Sequence, residues 1–326
     1  MKTMVRLTAA TILILGWSVC ASAQNWPIKP ITMVVPFAAG SGTDVVGRIL
    51  APRLSQILGQ QIIVENIGGA GGMTGSSRVV QAAPDGYHFV LGTVATHAQS
   101  QALYKHPLYD AASDFAPVGL VADVPLVLIT RSDLPSRNLR EFIAYAKPNQ
   151  GKMQYGSAGA GSASHLACVL LNAAIEIKVT HVPYRGAAPA MQDLVGGRLD
   201  YQCPLIAAAL SQIEGKAVKA IAMLTKERSP ILPELASADE QGLVHFDASA
   251  WHGIFLPKGT PPAIIKKLHD ATVATMETAS VQQALKKVGG ALVSAERRSP
   301  DYLAAFVVRE ITKWRAAITA ANVQME

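Results

Sequence analysis

Ser162 and His165 stand three residues apart in Gly159-Ala160-Gly161-Ser162-Ala163-Ser164-His165, a hydroxyl and an imidazole that could act as nucleophile and base. The run lacks the G-x-S-x-G elbow of a serine hydrolase, and no Asp or Glu beside it completes a triad. A His just inside a helix has the plainer role of meeting a cap or a carbonyl. The second candidate is Phe37-Ala38-Ala39-Gly40-Ser41-Gly42-Thr43-Asp44. Its glycines let a ligand approach main-chain N–H groups, and a helix start there would attract an anion. Ser41 and Thr43 add hydroxyls, and Asp44 reads as the helix N-cap. The dinucleotide fingerprint fails because Val45 stands where a third glycine is required, and a Walker loop fails because no lysine follows. Arg185 offers a guanidinium fork for a carboxylate, or an ion pair with a surface acid. Cys168 and Cys203 have apolar neighbours, which favours two buried free thiols over a disulfide. No Cys/His spacing fits zinc. These patterns predict no catalytic residue, no metal and no cofactor.

Each candidate turn lies between a strand and a helix. Ile31–Pro36 reads as a strand and Asp44–Leu58 as a helix, with Val45, Ile49, Leu54 and Leu58 near 3.6-residue spacing. Strand Gln61–Glu65, a glycine-rich loop, helix Gly75–Ala83 and strand Phe89–Gly92 follow. A second set begins with strand Val127–Thr130 and helix Leu139–Ala146. It continues through strand Met153–Gly156, the Ser157–Ser164 turn and its helix, strand Val179–Val182, helix Ala187–Val195 and strand Leu199–Gln202. The tail returns to a strand at "WHGIFLPKGTPP", then helices Ala263–Met276, Val281–Val288 and Asp301–Ala321. Such alternation predicts an α/β fold of two lobes, each a parallel sheet flanked by helices. Because the tail resumes the first set, the first lobe is discontinuous: 24–123 and 250–326 form domain 1 and 124–249 form domain 2. Crossings near Leu120–Val127 and Phe246–Phe255 then make a hinge.

The N-terminus predicts a signal peptide over 1–23: Lys2 and Arg6, an apolar run from Leu7 to Cys20, then Ala21-Ser22-Ala23 for cleavage. Cleavage leaves 303 of the 326 residues, with 27 basic against 23 acidic side chains, a net +4. The basic residues are scattered rather than striped with aromatics, which argues against nucleic acid and fits an anionic small ligand.

Together these segments resemble the extracytoplasmic solute receptors of the tripartite tricarboxylate transporters, the Bug receptors. The resemblance covers essentially the whole chain after the leader. It rests on "WPIKPITMVVPFAAGSGTDVVGRIL", "VENIGGAGGMTGSSRVVQAAPDGY", "LGTVATHAQSQALY", "GSAGAGSASHLA", "VTHVPYRGAAPAMQDLVGGRLD" and "AWHGIFLPKGTP", in that order and spacing. It implies a periplasmic binding protein of the Venus flytrap type, a monomer that captures a small carboxylate and delivers it to a membrane permease. A sensor presenting its ligand to a membrane kinase, or a secreted hydrolase using Ser162 and His165, are the alternatives. By resemblance, the ligand carboxylate meets Phe37, Ala38, Ala39, Gly40 and Ser41, then Thr93, Thr96 and His97. In the second lobe it meets Ala158, Gly161, Ser162 and His165, with Arg185 and Gly186 nearby. Ser41 replaces a glycine common in relatives. Pro204 replaces an acidic or amide side chain, which argues against an amino-acid ligand.

Overall fold

The computed structural model describes residues 26–244 and 246–320, so the expected signal peptide lies outside the described residues. The chain runs β1 (Ile31–Val35), α1 (Gly42–Leu58), β2 (Ile62–Asn66), α2 (Met73–Val80) and β3 (His88–Thr93). A π-helical turn at Ala95–Gln99 precedes β4 (Phe115–Pro125) and β5 (Val127–Arg131). Then come α3 (Leu139–Asn149), β6 (Gln154–Ser157), α4 (Ala163–Ala174), β7 (Thr180–Pro183), α5 (Ala187–Val195), β8 (Tyr201–Gln202), α6 (Ile206–Glu214) and β9 (Val218–Met223). The tail adds β10 (Ser249–Pro257), α7 (Pro262–Met276), α8 (Ala279–Lys287), β11 (Ala291–Leu292) and α9 (Pro300–Ala320). No helix among the described residues is long and apolar enough to cross a membrane.

Among the described residues the strands form two sheets. The first is six-stranded in the order β11-β4-β10-β3-β1-β2, and the second five-stranded in the order β7-β6-β8-β5-β9. Ile31, Met33, Val34 and Val35 of β1 are all fully buried, as a strand covered on both faces requires. α1 packs Val46, Leu50 and Leu54 inward at helical spacing and ends at Gly59, whose φ of +71° forms the left-handed cap.

The sheets are mixed rather than parallel. β1 runs parallel to β2 and β3, but β10 runs antiparallel to both β3 and β4. The chain leaves the first sheet along β4, builds the whole second sheet and comes back along β10, so the returning strand opposes its neighbours. In the second sheet β6 is parallel to β7 and β8, while β5 opposes β8 and β9. β4, 11 residues long, carries the chain towards the second sheet, and only Leu126 separates it from β5.

Cys168 and Cys203 are joined in a disulfide, with Cα atoms 5.6 Å apart. This corrects the expectation of free thiols. Their apolar neighbours are one shared core, because α4 lies against the sheet that contains β8, and both sulfurs are buried in it.

Candidate functional site

The loop after β1 turns into α1 through Ser41, whose φ of −68° and ψ of 157° are those of a helix N-cap. Its Oγ accepts the main-chain N–H of Asp44 at 3.2 Å. The cap is therefore Ser41 and not Asp44, because Gly42 and Thr43 already belong to the helix. Asp44 is the third helical residue, and its carboxylate reaches back to accept the N–H of Gly40 at 2.9 Å. Gly40 has φ +77°, a value that favours glycine. Arg48 and Asn66 also donate to the Asp44 carboxylate. Burial works to raise the Asp44 pKa, but the bonds from Arg48, Gly40 and Asn66 outweigh it and hold the carboxyl below its ordinary value.

The second lobe repeats this turn. Ser162 caps α4 with φ −71° and ψ 159°, and its Oγ accepts the His165 main-chain N–H at 3.2 Å. Gly161 again has φ +77°, and its N–H donates to His165 Nδ1 at 3.2 Å. Ser41 N–H donates to Ala38 O at 3.2 Å and Ser162 N–H to Gly159 O at 3.1 Å. An Nδ1 that accepts must be unprotonated. Burial, followed by the His181 ring stacked at 4.2 Å, pushes the His165 pKa down to about 3. This geometry does not form a Ser162–His165 dyad: the Ser162 hydroxyl faces the main chain of His165 and the Ser164 hydroxyl, while the imidazole Nδ1 faces Gly161.

Capping satisfies the third N–H of each helix and leaves the first two, Gly42 and Thr43 in α1, Ala163 and Ser164 in α4. All four of these residues line one cleft between the sheets, together with Ser41 and Ser162. Phe37, Thr93, Ala158, Ala187, Pro204, Leu205, Ala250 and His252 complete its walls, and among the described residues no Asp, Glu, Lys or Arg takes part. The cavity volume is about 30 Å³, enough for about two waters. Thr93 is buried, and among the described residues its Oγ1 has no hydrogen-bond partner. His252 Nε2 lies 3.3 Å from Thr43 Oγ1, and burial lowers the His252 pKa to about 4.

Of the residues expected at the site, Phe37, Ser41, Thr93, Ala158 and Ser162 line this cleft. Gly40 and Gly161 shape the two turns. Ala38 and Gly186 meet across the lobes: a Cβ added to Gly186 would lie 2.5 Å from Ala38 Cβ. Ala39 is exposed beside them. Thr96 and His97 stand behind the cleft, in the core. Thr96 Oγ1 accepts the Thr93 N–H, so it braces the strand end that carries Thr93. The His97 ring is stacked on Phe255 at 3.8 Å, bonded through Nδ1 to Thr96, and burial lowers its pKa to about 3. His165 is behind its own turn. Arg185 is exposed, and among the described residues its guanidinium makes no ion pair or hydrogen bond. Sequence reasoning named Ser164 in the second turn without placing it at the ligand, and missed Ala163, Ala187, Leu205, Ala250 and His252 as cleft residues. Ser164 had a signal, the hydroxyl in the first turn of α4. His252 had none, since it arrives on a strand 209 residues after Thr43.

The sequence profile described as tripartite tricarboxylate transporter family receptor matches residues 46–323. Protein BugT of Bordetella pertussis is 33% identical over 312 residues, 95% of each chain. The structure of the periplasmic binding protein BugD is 38% identical with a TM-score of 0.90, covering 92% of this chain and all of that one. MatC from Rhodopseudomonas palustris, with bound malate, is 37% identical with a TM-score of 0.87, covering 90% of this chain and all of its own.

Proposed function

The chain belongs to the tripartite tricarboxylate transporter receptor family, and from that premise we propose that it is a periplasmic receptor for a small organic carboxylate. It closes its two lobes on the acid and presents it to a membrane permease of the tripartite tricarboxylate type. The observation that carries this reading is the pair of serine-capped helix N-termini, one per lobe, that share a cleft lined, among the described residues, by no Asp, Glu, Lys or Arg. Each N-terminus offers main-chain donors and about half a unit of positive charge to an anion. MatC, which holds malate, has the same fold. Thr93 Oγ1, buried and without a partner among the described residues, supplies a further donor facing the cleft.

In this reading the carboxylate meets Phe37, Ser41, Thr93, Ala158 and Ser162 directly. Gly40, Gly161, His165, Thr96 and His97 hold the turns and the strand end in shape. Ala38, Ala39, Arg185 and Gly186 border the cleft. The lobes are 24–123 with 250–326, and 124–249, and residues 1–23 direct export and are removed. The walls formed by Pro204, Leu205 and Ala250 are apolar, so the remainder of the acid is not recognised through an amine.

Thermal-shift measurements with malate, succinate, citrate and benzoate, each beside its neutral amide, test the reading. An acid at one hundred times its dissociation constant adds about 2.7 kcal/mol to stability. Stabilisation by the amides but not by the acids would overturn it.

A further inference from the structure

Two segments that line the cleft are tied together behind it. α4 starts at the cleft with its cap Ser162 and carries Cys168 six residues further on, about 9 Å along the helix at 1.5 Å per residue. Cys203 immediately precedes Pro204 and Leu205, which also line the cleft. The disulfide joins them, and both cysteines are fully buried.

Cys203 follows β8, the middle strand of its sheet, which pairs with β5 and β6 and whose Tyr201 hydroxyl donates to Asn172 Oδ1 of α4 at 2.7 Å; beyond Gln202 the fastenings thin out. β8 itself is two residues long. Pro204 has no N–H to give a ladder, and its carbonyl accepts one bond, from Val127 N–H at 3.0 Å. Leu205 makes a single bridge to Leu126. Yet this segment must be placed closely. A Cβ added to Gly42 would lie 2.6 Å from Leu205 Cβ, so Leu205 packs directly against the first turn of α1 in the other lobe. A shift of the Cys203 segment therefore moves one wall of the cleft against both helix N-termini.

We infer that the Cys168–Cys203 disulfide is a positioning element of the ligand cleft: it fixes the Pro204–Leu205 wall relative to the donor end of α4. The inference rests on the cleft being the ligand site, but its test needs no ligand and so succeeds or fails separately from the proposed function.

The test is amide hydrogen exchange on the full chain in the absence of any acid. The oxidised parent is compared with the Cys168→Ala/Cys203→Ala variant. Exchange at the hydrogen-bonded amides of these two segments, Ala208 on one side and His165 and Leu166 on the other, is expected to quicken at least tenfold, while β5, β9 and the β1–β3 sheet keep their protection. Unchanged exchange at both segments would overturn the inference. So would an equal acceleration across all of the five-stranded sheet, because the bond would then act only as a general brace. If the double variant does not fold, the folded parent reduced with tris(2-carboxyethyl)phosphine answers the same question. There the S–S bond breaks, each sulfur gains a proton, and the phosphine is oxidised to its oxide with oxygen from water. The same two patterns of exchange decide the outcome.

Discussion

Asp44 and His165 hold equivalent places in opposite lobes: each is the third residue of its helix, and each accepts the N–H of a glycine held at φ +77°. The chemistry of the two acceptors differs. Asp44 is a carboxylate balanced by Arg48 and Asn66, whereas His165 accepts only while neutral and is backed by His181. Both residues act on the shape of a turn, and the first-turn residues Gly42, Thr43, Ala163 and Ser164 that follow line the cleft.

Because Ser41 and Ser162 use their hydroxyls as caps, their removal should be felt in stability before affinity. Ser41→Ala and Ser162→Ala are each expected to cost about 1 kcal/mol. Urea denaturation of the two variants checks this. Full stability with a large loss of acid binding would mean that the hydroxyls serve the ligand instead.

Gly186 packs against Ala38, in the loop that leads into α1. A methyl there meets Ala38 Cβ at 2.5 Å and Ala38 N at 3.3 Å, distances that side chains do not tolerate without movement. Gly186→Ala should therefore keep each lobe folded and hold the two apart. Small-angle scattering should give a larger radius of gyration than the parent, and an acid that stabilises the parent should stabilise the variant less. An unchanged radius would contradict the contact.

Burial lowers four histidines: His97 and His165 to about 3, His181 and His252 to about 4. In the unfolded chain a histidine titrates near about 6.5. Between those values the unfolded state binds protons that the native state refuses, so stability falls as pH falls from about 6.5 towards 4. Above about 6.5 neither state is charged at these sites and the effect vanishes. Unfolding at pH 5 should take up close to one proton for each of the four residues. The slope of unfolding free energy against pH between 6.5 and 5 measures this, and a flat slope would show that these rings are solvated.

The disulfide closes a loop with a sequence separation of 35 residues, which corresponds to about 3–4 kcal/mol on a chain-entropy account. Cys168→Ala/Cys203→Ala should lower the melting temperature by about 6–16 °C. Calorimetry of the oxidised parent and the variant checks this, and equal melting temperatures would contradict it.

The strand, glycine turn and helix at residues 31–58 were legible because each rests on neighbours in the sequence: an apolar run, glycines, then 3.6-residue spacing. The same holds for the α4 turn, and the likeness of the two halves followed from it. What local spacing does not carry was lost. β4 contains Pro117, Gly119, Asp123 and Pro125, which break any strand pattern, yet it is held by pairing with β10 from the far end of the chain. The Cys168–Cys203 bond depends on how α4 lies on the sheet, which spacing does not fix. The family resemblance implies His97 at the cleft, beside Thr93 and Thr96. The π-helical turn instead aims its ring into Phe255 and Phe115, and Gly92 opposite leaves the space for it.

The place of β10 in the first sheet has a consequence for the order in which the molecule is made. β10 lies between β3 and β4, and it is read out only after every strand of the second sheet has been synthesised. Through translation the first sheet is therefore left in two pieces, with the inner edges of β3 and β4 unpaired. The second sheet, whose strands span 127–223, can close first. Unpaired strand edges invite pairing with other chains. A newly made receptor is thus most exposed to aggregation in the interval before residues 249–257 emerge. A truncation that stops before Ser249 would be trapped in that interval, while one that stops just after Pro257 would leave it.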